Sequence, residues 1–126
     1  MEDKNSHLIN AEQLNALREL SEDDEEDLLS ELIDIFFKNS PENLNHIEEA
    51  IQDRERERLL KETHKLKGSC ANLGSVELKD LCQELEEQSN VIAWSEAQTS
   101  LQKIRDSYKR LSTLLEKEWY QKKTKR

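Results

Sequence analysis

One stretch of this chain gathers residue types that can do chemistry together: His64-Lys65-Leu66-Lys67-Gly68-Ser69-Cys70-Ala71-Asn72-Leu73-Gly74. An imidazole is a nucleophile and proton carrier near neutral pH. If the stretch is a helix, positions 59, 63, 66, 70 and 73 form a buried stripe at about 100° per residue. Residue 64 lies off that stripe. Its same-face neighbours, three, four and seven residues on, are Lys67, Gly68 and Ala71. The imidazole therefore projects outward beside a cation, with small residues following it along the helix. Both glycines of the chain, Gly68 and Gly74, fall in this segment. A mid-helix glycine costs roughly 1 kcal/mol relative to alanine, and at 68 the missing side chain leaves the space beside the imidazole uncrowded. Such a face suits a nucleophile that another macromolecule must approach closely, with Lys67 neutralising an anion bound to it.

A helix with this face must be held by others. The chain has 126 residues, of which 34% are hydrophobic and 37% charged, with two glycines and one proline. That length makes one domain with one modest core. So little turn chemistry argues against a β-sandwich or barrel, while abundant Leu, Glu, Lys and Gln favour helix, so the expected fold class is all-α. The net charge is −9, and the end of the chain hides part of the acidity. Lys122, Lys123, Lys125 and Arg126 carry four of the 19 basic charges, so residues 1–121 have a net charge of −13. An acidic body of this kind repels nucleic-acid phosphates and anionic membrane surfaces, and the basic end reads as a solvated, frayed tail. With no apolar stretch of membrane-spanning length and no signal peptide, a cytoplasmic protein is expected. Cys70 and Cys82 lack C-x-x-C spacing and read as buried small hydrophobes, not as a disulfide.

Along the chain, residues 1–9 are expected to be loose. Asn10 is placed to cap a short helix running to about Leu20, with Gln13 at its third position. Ser21-x-x-Asp24 opens an acidic first turn that suits the positive end of a helix dipole. Apolar residues then recur at Leu28, Leu29, Leu32, Ile33, Phe36, Phe37, Leu44, Ile47 and Ile51. Their phase carries across Pro41, which predicts one kinked helix over roughly 23–52. Asp53 is expected to cap the next helix, which turns Leu59, Leu60, Thr63, Leu66, Cys70 and Leu73 inward and stops at Gly74. Ser75 opens a fourth helix with Leu78, Leu81, Cys82 and Leu85, closed by Ser89-Asn90. The last helix has the cleanest period: Ala97, Leu101, Ile104, Tyr108, Leu111 and Leu115. Four long helices on short connections predict an antiparallel up-down four-helix bundle, with the short N-terminal helix as a lid. The expected organisation is a flexible segment over 1–9, the bundle over 10–119 and a basic flexible tail over 120–126.

The pattern His64-x-Leu66-Lys67-Gly68-Ser69-Cys70-x-x-Leu73-Gly74-x-x-x-Leu78-x-x-x-Cys82-x-x-Leu85-Glu86 closely resembles the signature of histidine-containing phosphotransfer (HPt) domains. The preceding Phe-Phe…Pro…Leu…Ile helix resembles that family too, so the likeness covers about residues 25–115. It implies that His64 is the phosphoaccepting histidine, taking a phosphoryl group on Nε2 from an aspartyl phosphate and passing it to another aspartate. Lys67 matches the lysine that neutralises phosphoryl charge, and Gly68 the small position that admits the partner. Glu86 falls where the family places a Glu or Gln that accepts a hydrogen bond from Nδ1–H and leaves Nε2 free. Thr63 and Ser75 stand where alanine is common, away from this chemistry.

The partners so implied are receiver domains of response regulators and hybrid histidine kinases. Lys61, Lys65, Lys67, Gly68, Ala71 and Ser75 are the expected contact residues. Phosphoryl transfer depends on positioning and charge neutralisation, and the Mg²⁺ belongs to the receiver, so no cofactor of the chain's own is expected. With no P-loop and no Gly-rich nucleotide lid, it is expected to be a stoichiometric relay rather than a kinase. Two other four-helix readings compete. A di-iron bundle needs Glu-x-x-His pairs, but Lys4, Asn43 and Lys61 stand three residues before His7, His46 and His64, and His46-x-x-Glu49 alone reads as a solvated pair, so no metal is expected. A helical-bundle adaptor that binds signalling partners without transfer could use Trp94, Trp119 and Tyr120 as anchors, although these also suit a helix entrance and a bundle end. Such an adaptor has no need of Gly68 or Lys67. The acidity and sparing use of apolar residues suggest a monomer that forms transient complexes.

Overall fold

The computed structural model describes residues 7–20 and 27–120. The elements are α1 (Ala11–Glu19), α2 (Leu28–Gln52), α3 (Arg56–Asn72), α4 (Val76–Gln88) and α5 (Trp94–Leu114), followed by a π-helical turn at Leu115–Trp119. The fold is the all-helical bundle that the periodicity predicts. Around it α2 packs on α3, α3 on α4, α4 on α5 and α5 on α2, while the backbones of the diagonal pairs stay farther apart among the described residues. The four helices thus form a square in cross-section. One edge of the square is α3/α4, and the opposite edge is α2/α5.

Local chemistry explains where each helix starts and stops. The Asn10 side chain accepts the Gln13 backbone N–H at 3.1 Å, opening α1. Asp27 does the same for Leu29 at 3.1 Å, so α2 begins at Leu28 rather than near 23. The cap expected at Ser21 lies outside the described residues. From Leu28, α2 runs unbroken through Pro41 to Gln52, burying Leu29, Ile33, Phe36, Leu44, Ile47 and Ile51. Asp53 does not cap α3; it ends α2, and Glu55 stands before α3 without a side-chain cap. The link closes by a Schellman-type bond, Glu55 N–H to the Ala50 carbonyl at 2.9 Å, which takes Arg54 to φ 57°. At the end of α3 the same motif uses Gly74 at φ 66°, with Ser75 N–H bonding the Cys70 carbonyl at 2.9 Å. Leu59, Thr63, Leu66, Cys70 and Leu73 face the core as expected, but Leu60 is exposed.

The described residues at either end of the bundle are better held than composition suggests, while residues 1–6 lie outside the described region. Leu8 and Ile9 are buried rather than loose. Asn10 N–H donates to the Gly74 carbonyl and Val76 N–H to that of Leu8, at 2.8 and 3.0 Å, and the Gln13 amide donates to the carbonyls of Ala71 and Asn72. The N-terminal segment therefore caps the α3–α4 turn. At the other end, Trp119 and Tyr120 pack on the core. The Arg18 guanidinium donates to the Trp119 carbonyl, lies 5.8 Å from its ring centroid and pairs with Asp27 at 3.2 Å. Trp94 is an entrance residue: Arg56 stacks on its ring at 4.3 Å and donates to the Ser89 and Ile92 carbonyls. Cys70 and Cys82 are free and buried. The neighbouring Cys82 thiol, together with burial, pushes the Cys70 thiol well above its usual range, away from thiolate chemistry. Among the described residues no helix is long and apolar enough to cross a membrane. The basic residues 122–126 lie outside the described region.

Candidate functional site

The helix that carries His64 presents two different flanks. Thr63 and Leu66 point into the core, and residues 64, 67, 68 and 71 turn toward α4. His64 has a side chain 66% exposed, with Nδ1 2.8 Å from Oε2 of Glu86 on α4. An ionised carboxylate only accepts hydrogen bonds, so Nδ1 carries a proton, and in the neutral ring the lone pair is on Nε2. No described residue bonds Nε2. The second Glu86 oxygen, Oε1, holds the Lys67 ammonium at 2.7 Å. One carboxylate thus orients the imidazole and ties down the neighbouring cation. The Lys67 ammonium, and secondarily the His64 hydrogen bond, keep Glu86 below the ordinary carboxylate range despite its partial burial. Glu86 is 17% exposed and Lys67 27%, so the pair is shielded while the imidazole is not.

Gly68 and Ala71 are both exposed on the same flank. A Cβ built at Gly68 meets nothing within 4 Å. Packing inside this chain therefore gives no reason for glycine in mid-helix, where alanine would be more stable by roughly 1 kcal/mol. The opening it leaves faces outward beside the imidazole, where an approaching partner would use it. Gly74 differs, since it needs positive φ and a Cβ there would come 3.4 Å from the Asn10 carbonyl and the Gln13 side chain.

Of the residues expected to meet a partner, the structure leaves Lys61, Lys65, Gly68 and Ala71 exposed and Lys67 partly so. Ser75 is a correction. It is 1% exposed, pressed under the N-terminal segment by the Ile9–Ser75 bridge, and offers no side chain to a partner. Lys65 lies on the other flank of α3, toward α2, and pairs with Glu62 at 3.7 Å.

Glu62 was not singled out by its sequence, yet its carboxylate is a buried hub. Its Oε1 accepts from the Asn43 amide at 3.1 Å and lies 3.4 Å from His46 Nδ1. Periodicity puts residue 62 beside the buried stripe, which marks its position, but nothing in the sequence names its partners on α2. The same contacts correct the pairing of His46, which meets Glu62 and Glu42 rather than Glu49, whose partner is Arg58. Among the described residues no three His, Cys, Asp or Glu side chains converge as they would around a metal ion.

Residues 31–117 match the Hpt domain family. A curated relative, pseudo histidine-containing phosphotransfer protein 2 of rice (Oryza sativa subsp. japonica), is 31% identical over 107 residues, covering 83% of this chain and 71% of its own. Histidine-containing phosphotransfer protein B of Pseudomonas aeruginosa PAO1 superposes with a TM-score of 0.79 at 28% identity, over 89% of this chain and 93% of its own. A histidine-containing phosphotransfer protein of Medicago truncatula shares the fold, with a TM-score of 0.79 at 22% identity, over 88% of this chain and 76% of its own. With the motif, the helical square and these likenesses in agreement, the chain belongs to the Hpt domain family of phosphotransfer proteins.

Proposed function

We propose that His64 accepts a phosphoryl group from the aspartyl phosphate of a receiver domain and passes it to the aspartate of another. The rice relative is named a pseudo form, so membership of the family does not by itself decide whether a member transfers. What carries the proposal is the His64–Glu86 bond at 2.8 Å, with Nε2 open to the outside. Nε2 attacks phosphorus, the N–P bond forms, and the mixed anhydride breaks to return the aspartate as carboxylate. The ring gains positive charge as this happens, and the Glu86 carboxylate on Nδ1–H balances it. Lys67, one turn along, is in position to neutralise oxygens of the arriving group, and the gap over Gly68 admits the receiver backbone. Reversal of the same steps delivers the group onward.

The Mg²⁺ for such a transfer is expected in the receiver, so the chain need supply only an oriented imidazole and one cation. It is therefore proposed to act stoichiometrically, as a cytoplasmic monomer in transient complexes, without kinase activity toward ATP. Incubation with a radiolabelled phospho-receiver tests this. An acid-labile, base-stable label on the wild-type chain, absent in His64→Gln, is the expected result. No label on the wild type would leave an adaptor that binds without transfer.

A further inference from the structure

The edge of the square opposite His64 carries a feature that phosphotransfer does not use. Asp34 and Phe37 of α2, Tyr108, Ser112 and Glu116 of the last helix and its π-turn, and Tyr120 just beyond line one cleft of about 600 Å³. The spacings 34/37 and 108/112/116 set each group on one helical face, so the two faces oppose each other. Three aromatic rings make the walls and two carboxylates stand at the rim. Among the described residues no lysine or arginine lines it.

The cleft is a constructed feature of the fold. The π-helical turn is an uncommon geometry that recurs at functional sites. Here it ends in a Tyr120 N–H bond to the Leu115 carbonyl at 2.7 Å. From outside, Arg18 stacks on Trp119 and donates to its carbonyl, fastening the turn to α1. The result places Tyr120 beside Asp34 of α2 in the cleft, and that carboxylate shifts the phenol upward. Tyr108 is braced from within by Phe36, with ring centroids 5.6 Å apart.

Aromatic faces are negative at their centres and attract cations, and quaternary ammonium and guanidinium groups suit them best because they are weakly hydrated. Carboxylates at the rim add to that field and repel anions. We propose that this cleft binds an organic cation, an ammonium or guanidinium head on a short alkyl stem, independently of phosphoryl transfer. Because α2/α5 lies across the bundle from α3/α4, a receiver seated over His64 leaves the cleft open.

Aromatic NMR resonances of the full chain, titrated with choline, test the site. Saturable shifts of Phe37, Tyr108 and Tyr120 are expected, unchanged in His64→Gln. The uncharged isostere 3,3-dimethylbutan-1-ol should bind at least about tenfold more weakly, and the double change Asp34→Asn with Glu116→Gln should weaken choline about tenfold, as removal of two rim charges implies. Both changed residues are exposed, so folding is not at stake. A parallel titration with Nα-acetyl-arginine amide distinguishes sources: tighter binding than choline points to a cation borne on a protein side chain, weaker binding to a free small amine. Absence of saturable shifts with either cation, or equal binding of the uncharged isostere, overturns the proposal.

Discussion

Two histidines of this chain stand beside glutamates on opposite flanks of α3, and they are not equivalent. His64 gives one nitrogen to Glu86 at 2.8 Å and keeps the other open. His46 has carboxylates at both nitrogens, Glu62 at 3.4 Å and Glu42 at 3.8 Å. It lies in a cleft between α2 and α3 with Asn43 and Lys65 around it. If His64 is the acceptor proposed above, a carboxylate beside an imidazole does not suffice to make one. What distinguishes His64 is a free Nε2, a cation tethered to the same carboxylate, and a helix surface stripped to glycine where a partner must arrive. The His46 side holds two helices together, and the His64 side presents a group outward.

The strongest way to break this contrast is to exchange the roles. His64→Gln should abolish phosphoryl acceptance, while its melting temperature changes little, because an exposed side chain outside the core is worth within about 0.5 kcal/mol. His46→Gln should still be labelled by the phospho-receiver. Label retained on His64→Gln, or lost from His46→Gln despite intact folding by circular dichroism, would move the active nitrogen to the wrong flank.

Next in size is Gly68→Gln. Helix propensity favours this change by about half a kcal/mol, and a Cβ there meets no neighbour, so thermal stability should hold or rise. Receiver transfer, followed by stopped-time phosphorylation, should fall by about tenfold or more, the effect of misplacing the reacting atoms by roughly an ångström. Unchanged transfer would remove the steric role of Gly68.

Glu86→Ala should slow transfer more gently, by about fivefold to tenfold, since a hydrogen bond of roughly 1 kcal/mol orients the ring without supplying the nucleophile. An effect as large as that of His64→Gln would make Glu86 part of the chemistry and not merely its support.

The smallest effect is on pH. The Glu86 carboxyl is held below its ordinary range, first by Lys67. Its stabilising pairs are therefore intact at neutral pH and are lost as pH falls through the folded-state value. The melting temperature of wild type should exceed that of Glu86→Gln near neutrality, and the gap should close in acid, below the ordinary carboxylate range. A gap constant across that range would show that the ion pairs contribute nothing.

The site was legible in part for clear reasons. The 100° rotation per residue places 64, 67, 68 and 71 on one flank without any tertiary knowledge. The link to Glu86, twenty-two residues away on another helix, came from likeness to a family motif and became a distance only with α3 packed on α4. The sequence does not reveal that Ser75 is covered, because its burial comes from the segment before α1, whose Leu8 and Ile9 look too short a run to be anchored. Asp53 has the residue type of a cap yet ends α2, because its neighbour Arg54 takes positive φ, a conformation usual for glycine or asparagine. Glu62 and His46 were opaque for the same kind of reason, since a buried glutamate is tolerated only where partners on another helix receive it.

By itself, the sequence determined the all-helical class, the buried stripes and the outward aim of His64, because these follow from local propensity and helical periodicity. Tertiary structure decided which carboxylate serves which histidine, that the same carboxylate also holds Lys67, and that the π-turn closes an aromatic cleft across from His64. Such pairings depend on how helices rotate against one another when the core closes, a choice made by the packing of the whole square and written in no single segment.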